Sequence, residues 1–329
     1  MEKANFGQLV SFLFGIANDC LVDVYDVGDY RKIILPMMVI RRFDAVLEPT
    51  KKKVLEMKKN LDAAGITEQD EALCSAAGEA FCNSSPYTLS DLKSRTNQQQ
   101  LRADFILYLD GFSKNVQDII KKFEFRNQID KLSDHDILGL LISKFTDQSI
   151  NLSSRPVTTA AGVTLPALDN HTMGTVFEEV IRKFNEETNI TDAGRHFTPR
   201  DIVELIADLA FGPVKDKIQD NTYRIYDGAC GTGGMLTVAD QRIREVAAEY
   251  GKKVSIHLYG QEVADETYAI AKSDMLVKGE GEQSNNIFFG STISNDGFSG
   301  QTFDFCLSNE GVIYGLNAGK ARNIKEFAA

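Results

Sequence analysis

The chain lacks any run of the roughly 20 uncharged apolar residues that a bilayer span needs. Its start, Met1-Glu2-Lys3-Ala4-Asn5-Phe6, lacks the basic and then apolar layout of a secretory signal. A soluble, intracellular, cytoplasmic protein is the expectation. Cysteine is sparse and scattered: Cys20, Cys74, Cys82, Cys230 and Cys306 form no CxxC pair and are odd in number. That argues against a disulfide framework and a zinc site and predicts reduced thiols. His135, His171, His196 and His257 show no ligand spacing, which leaves little room for metal chemistry. Basic charge is also in short supply. With 36 Lys and Arg against 47 Asp and Glu, the net charge of −11 makes the bulk field repel nucleic acid, so contact with DNA needs a local patch or a partner.

What remains is a chain of 329 residues, 43% hydrophobic and 25% charged, enough to bury a large core in roughly two domains. Phe6, Leu9, Val10, Leu13, Phe14 and Ala17 draw the stripe of an amphipathic helix. Ile33 to Leu47 predicts a second helix, with Pro36 near its start and Pro49 beyond its end. Arg41-Arg42 and Lys51-Lys52-Lys53 read as solvated helix faces. Asn83 to Gln100 is polar, whereas Leu101 to Phe125 and Asp134 to Phe145 return to helical spacing. Residues 1–150 therefore predict an all-α N-terminal domain.

Residues 151–170, with Pro156, Gly162, Pro166 and several threonines, read as an exposed linker. Residues 171–329 form the second domain. Val176, Phe177, Val180, Ile181 and Phe184 mark a helix, and Thr198-Pro199-Arg200-Asp201 opens the next, with Thr198 as N-cap and Pro199 as its first residue. From Tyr223 short apolar strands alternate with helices: strands at Tyr223–Tyr226, Ile256–Tyr259, Ile287–Phe289 and Phe303–Leu307, helices at Met235–Tyr250 and Ala264–Val277. This rhythm is that of a doubly wound, parallel α/β sheet.

The loop Asp227-Gly228-Ala229-Cys230-Gly231-Thr232-Gly233-Gly234 lies between a strand and a helix, where such sheets bind nucleotides. Gly234 and Met235 stand where a phosphate-binding loop needs Lys and then Ser or Thr, and Leu236 stands where a dinucleotide loop needs its third glycine. Asp227 is a poor neighbour for a pyrophosphate and a good one for a cationic amino group. S-adenosylmethionine carries such a group and a sulfonium. Glu262, after the next strand, stands where a carboxylate accepts ribose hydroxyls. Cys230 needs no role beyond a small side chain.

These segments resemble the modification (M) subunits of type I restriction–modification systems, S-adenosylmethionine-dependent adenine-N6 DNA methyltransferases. The resemblance runs from Tyr30-Arg31-Lys32-Ile33-Ile34-Leu35-Pro36-Met37 to Phe303-Asp304-Phe305-Cys306-Leu307-Ser308-Asn309, with three motifs in order between. It implies an all-α N-terminal domain and an α/β doubly wound, Rossmann-like methyltransferase domain, incomplete at the C-terminus. It also implies that Arg195, His196, Phe197, Thr198, Pro199 and Arg200 wrap the methionine end of the cofactor. Asp227, Ala229, Thr232, Gly233 and Gly234 would form its glycine loop, and Gly260-Gln261-Glu262 the ribose-binding turn. Asn309 would be the catalytic residue, accepting hydrogen bonds from a flipped adenine. The implied partners are duplex DNA, a specificity (S) subunit, a second M subunit and a restriction (R) subunit, with no membrane.

Two positions depart from the family's pattern. Asn309 is followed by Glu310-Gly311-Val312 in place of two prolines and an aromatic ring, with Tyr314-Gly315 further on. Ser291 stands where relatives offer Asp or Asn to the cofactor's adenine. The chain also ends soon after the fourth strand, which predicts an uncovered sheet edge. These features favour a second reading, a catalytically impaired homologue that binds cofactor or serves assembly. A nicotinamide-dependent oxidoreductase is the third reading and lacks its glycine motif.

Overall fold

A computed structural model describes residues 3–159, 161–168, 170–187, 198, 200–277 and 283–309. The N-terminal part is built from α1 (Lys3–Leu21), α2 (Arg31–Leu47), α3 (Lys51–Ala63), α4 (Asp70–Ala77), α5 (Leu89–Leu92), α6 (Gln98–Asp110), α7 (Lys114–Lys122), α8 (Arg126–Asp134) and α9 (Ile137–Phe145). Its core holds Leu13, Ile34, Met38, Phe43, Phe105, Phe125 and Leu141, all buried. The long helical stretches of the sequence are broken where the backbone must turn. Helix α6 ends at Gly111, where Ser85 packs so closely that a Cβ would stand 2.5 Å from the Ser85 nitrogen. Asp136, with φ 58°, takes the left-handed conformation that separates α8 from α9. Pro36 falls in the interior of α2, since that helix begins at Arg31, before the first apolar residue of its stripe.

Two expectations about polar residues are corrected. Lys51 and Arg42 are buried, not solvated. The Lys51 ammonium donates to Asn83 O at 3.1 Å, Asn83 Oδ1 at 2.9 Å and Ser85 Oγ at 3.4 Å, and burial pulls its pKa down to about 8. Part of the polar segment after residue 82 thus lies inside the domain. Arg42 Nη1 donates to Leu152 O at 2.5 Å and to Leu168 O at 2.7 Å, so both ends of the excursion between them are tied to α2. Between those ends lies a small antiparallel hairpin, β1 (Val157–Thr158) and β2 (Thr164–Leu165).

Helix α10 (Asn170–Glu187) follows, and its residues Val176, Phe177, Val180, Ile181 and Phe184 join the helical core, with the Phe184 ring against Phe14 and Tyr30. Then come α11 (Arg200–Phe211), β3 (Thr222–Asp227), α12 (Gly234–Glu249), β4 (Ser255–Glu262), α13 (Asp265–Val277), β5 (Ile287–Phe289) and β6 (Phe305–Cys306). The sheet order is β5-β4-β3-β6, all parallel. The chain steps outward from β3 to β5 and then returns to the other side of β3, which makes the carboxyl end of β3 a topological switch point. Ile225 and Leu258 meet Leu236, Ala239 and Ala271 of α12 and α13 on one face. On the other, Tyr226 and Tyr259 pack against Phe298 and Phe303 of the loop before β6.

The two parts are joined along α13, where Lys122 of α7 pairs with Asp265 at 2.7 Å and Arg31 of α2 lies 3.9 Å from Glu266. The described residues contain no helix long and apolar enough to cross a membrane.

Candidate functional site

The glycine loop leaves β3 at Asp227, which is 2% exposed and whose Oδ1 accepts from the Ala229 amide at 3.0 Å. Gly231 (φ 55°) and Gly233 (φ 86°) adopt left-handed torsions that other residues enter only at a cost. Space above Gly231 is open, with no atom within 4 Å of where a Cβ would stand. Its amide points to the second carboxylate: Gly231 N donates to Glu262 Oε2 at 2.8 Å. The other oxygen, Oε1, takes the amides of Val263 and Ala264, each at 2.8 Å. Three backbone donors therefore fix Glu262 at the end of β4 and join it to the loop.

Glu262 does not sit in a turn. Strand β4 continues through Gly260, Gln261 and Glu262 because these three pair with Ile287, Phe288 and Phe289 of β5. Gly260 is the close-packed point of the strand, since a Cβ there would lie 2.9 Å from Cys230 Sγ and 2.9 Å from Ile287 Cδ1. Burial raises the Cys230 thiol well above its ordinary value, as befits a packing residue.

Three residues to which the sequence assigns no role of their own organise the same edge. Gln261, fully buried, donates to Gly290 O at 3.2 Å and Asn295 O at 2.7 Å and accepts from Gly297 N at 3.2 Å, which shapes the loop after β5. Thr292 donates to Gly228 O and ties that loop to the glycine loop. Glu178 of α10 accepts from Thr232 Oγ1 at 2.8 Å, and burial, reinforced by Asp274, pushes its pKa up to about 7. Burial of an amide or a carboxyl is the signal that singles out Gln261 and Glu178, and burial is not written in the sequence.

At the far side of β3, the strand β6 delivers Asn309 to the same edge. Asn309 Nδ2 donates to Thr198 Oγ1 at 2.9 Å, joining segments 111 residues apart. Arg195, His196, Phe197 and Pro199 lie outside the described residues, as do Glu310 and all that follows, and Arg200 is described only as the first residue of α11. Ser291 is partly buried and its carbonyl accepts from the amides of Ser294 and Asn295.

Comparison with known proteins places these features in a family. Residues 9–145 match the family model of the HsdM N-terminal domain, and residues 168–322 match that of the N-6 DNA Methylase. The chain thus carries an HsdM N-terminal domain followed by an N-6 DNA Methylase domain. It is 30% identical over 144 residues to the type I restriction enzyme HindI methylase subunit of Haemophilus influenzae, covering 44% of this chain and 29% of that one. It is 35% identical over 104 residues to the MpnII methylase subunit of Mycoplasma pneumoniae, covering 32% of this chain and 17% of the relative. Thus the matched segment spans less than a third of either relative. A crystal structure of the type I restriction-modification system methyltransferase subunit from Streptococcus thermophilus superposes with a TM-score of 0.62 at 18% identity, covering 97% of this chain and 66% of that one, which establishes the shared fold.

The N-6 DNA Methylase family implies S-adenosylmethionine as cofactor, and the residues present fit it. The open space over Gly231, the buried carboxylate of Asp227 and the anchored carboxylate of Glu262 offer an anionic, glycine-lined cradle to a ligand with cationic and hydroxyl groups. Beside Glu262, Val263 is 62% exposed.

Proposed function

We propose that this chain carries the cofactor pocket and the target-base amide of an adenine-N6 DNA methyltransferase. It would act on duplex DNA in the cytoplasm as the M subunit of a complex with a specificity subunit, a second M subunit and a restriction subunit. The observation that carries the reading is the convergence, at the switch point of one sheet, of the Gly231–Glu262 pair and the Asn309–Thr198 pair. An acidic chain with no base-reading motif agrees with recognition by a separate subunit.

When bound, S-adenosylmethionine supplies a methyl group made electrophilic by its sulfonium. Asp227 would hold the ammonium, Glu262 the ribose hydroxyls, and the backbone of Ala229, Thr232, Gly233 and Gly234 would allow close approach. The segment from Arg195 to Arg200 would close over the methionine end. Asn309 accepts through Oδ1 from the adenine amino group, while its Nδ2 is occupied by Thr198. This holds the N6 lone pair toward the methyl.

A second reading is supported by Glu310-Gly311-Val312, which lacks the stiffness of two prolines and the stacking ring: a homologue that binds cofactor without transferring the methyl. Labelled methyl transfer to duplex DNA, with the chain alone and with a specificity subunit, separates the two. N6-methyladenine that disappears in Asn309→Ala supports the methyltransferase. Saturable cofactor binding with no transfer in either arm supports the non-catalytic homologue.

A further inference from the structure

Helix α10 presents two different faces. Val176, Phe177, Val180, Ile181 and Phe184 pack into the helical core, whereas Glu178 reaches the cofactor loop. There the carboxylate accepts from Thr232 Oγ1 at 2.8 Å and lies so close to Gly234 that a Cβ on that residue would stand 2.7 Å from Oε1. Among the described residues the groups acting on Glu178 are Thr232 and, on α13, Asp274, a second acid in place of a cation. A carboxyl in this position is unfavourable for stability, the usual mark of a group kept for a site.

Thr232 is flanked by Gly231 and Gly233, whose left-handed torsions no side chain of their own can restrain. Its hydroxyl is therefore the side-chain handle on this turn, beside the Gly231 amide on Glu262, and Glu178 holds it. We propose that Glu178 is a positioning residue for the cofactor loop: through Thr232 it fixes the turn that aims the Gly231 amide at Glu262, and so transmits the seating of the helical domain to the pocket. This rests on the reading that the loop receives S-adenosylmethionine, and its test is built to separate the two.

Two measurements on the whole chain decide it. The first is calorimetric titration with S-adenosylhomocysteine, which binds without reacting, and the second is amide hydrogen exchange at Gly231 and Gly233 without ligand. Glu178→Ala is expected to weaken binding about tenfold, as loss of a buried hydrogen bond does, and to speed exchange at both glycines while β4 is unaffected. Thr232→Val should do the same, the double variant should be no worse than either, and Glu178→Gln, which keeps an acceptor for the hydroxyl, should restore both within about twofold. Equal exchange in Glu178→Ala and the wild type overturns the inference, whatever the cofactor does. So does a loss of binding that Glu178→Gln fails to rescue. If the wild type binds no S-adenosylhomocysteine, the cofactor reading fails, and the exchange measurement still accepts or rejects the role of Glu178 in the loop.

Discussion

The two loops that meet at the carboxyl edge of the sheet differ in how they are held. The loop after β3 is restrained from three directions, by Glu262 at the end of the neighbouring strand, by Thr292 from the loop after β5 and by Glu178 from the helical part. The end of β6 reaches the same edge with Asn309 exposed and held by Thr198. A cofactor cradle has to be ready before its ligand arrives, since binding is weakened by whatever ordering it must still do. On the function proposed above, the site around Asn309 is completed when DNA and partner subunits arrive. The asymmetry therefore predicts that variants on the β3–β4 side damage cofactor binding directly, whereas variants at the β6 end damage transfer more than binding.

The largest effect is expected at Glu262. Glu262→Ala leaves the amides of Gly231, Val263 and Ala264 without their acceptor, and cofactor affinity should fall by about a hundredfold. A calorimetric value within threefold of the wild type would remove Glu262 from the pocket. Next is Gly260→Ala, whose new methyl collides with Cys230 and Ile287. Overpacking of this kind costs about 1–3 kcal/mol, read as a lower midpoint in urea unfolding. Thr198→Val should reduce methyl transfer about tenfold, and by more than it weakens cofactor binding, because the amide of Asn309 loses its partner. Thr198→Ser should restore transfer, and a variant that loses binding and transfer equally would place Thr198 with the cofactor alone.

The smallest effect is one of pH. The folded Glu178 carboxyl takes up its proton at about 7, well above the ordinary carboxylate range, because of burial and the charge of Asp274, with the Thr232 bond opposing. Wild-type stability therefore declines as pH rises from that ordinary range through 7 and is regained as pH falls. Glu178→Gln, which has no charge to bury, should melt above the wild type at pH 8 and match it near pH 5. A constant difference across that range would mean that the carboxyl is not buried in solution.

Much of this was legible from residue patterns. The apolar stripes of α1, α2 and α10 and the strand rhythm after Tyr223 come directly from the periods of helix and strand, and four strands were expected where the described residues form four. The glycine loop was legible because its chemistry is in its residue types. Burial of charge was not. Lys51 lies in a run of three lysines and differs from its neighbours only in facing Asn83 and Ser85, which are brought to it by a packing event around Gly111. Arg42 meets carbonyls more than 100 positions away, and nothing local distinguishes it from Arg41. The end of β4 was placed too early, since Gly260 and Gln261 are weak strand formers that a partner strand holds in register. Glu178 and Gln261 matter through what the fold puts beside them.

On the function proposed above, residues of this chain alone form the cofactor cradle. Calorimetric titration of the purified chain with S-adenosylmethionine, repeated on Asp227→Ala, tests it most directly. The account predicts saturable binding of one cofactor per chain, lost or weakened at least tenfold in the variant. No saturable binding by a chain that circular dichroism and cooperative unfolding show to be folded would contradict it.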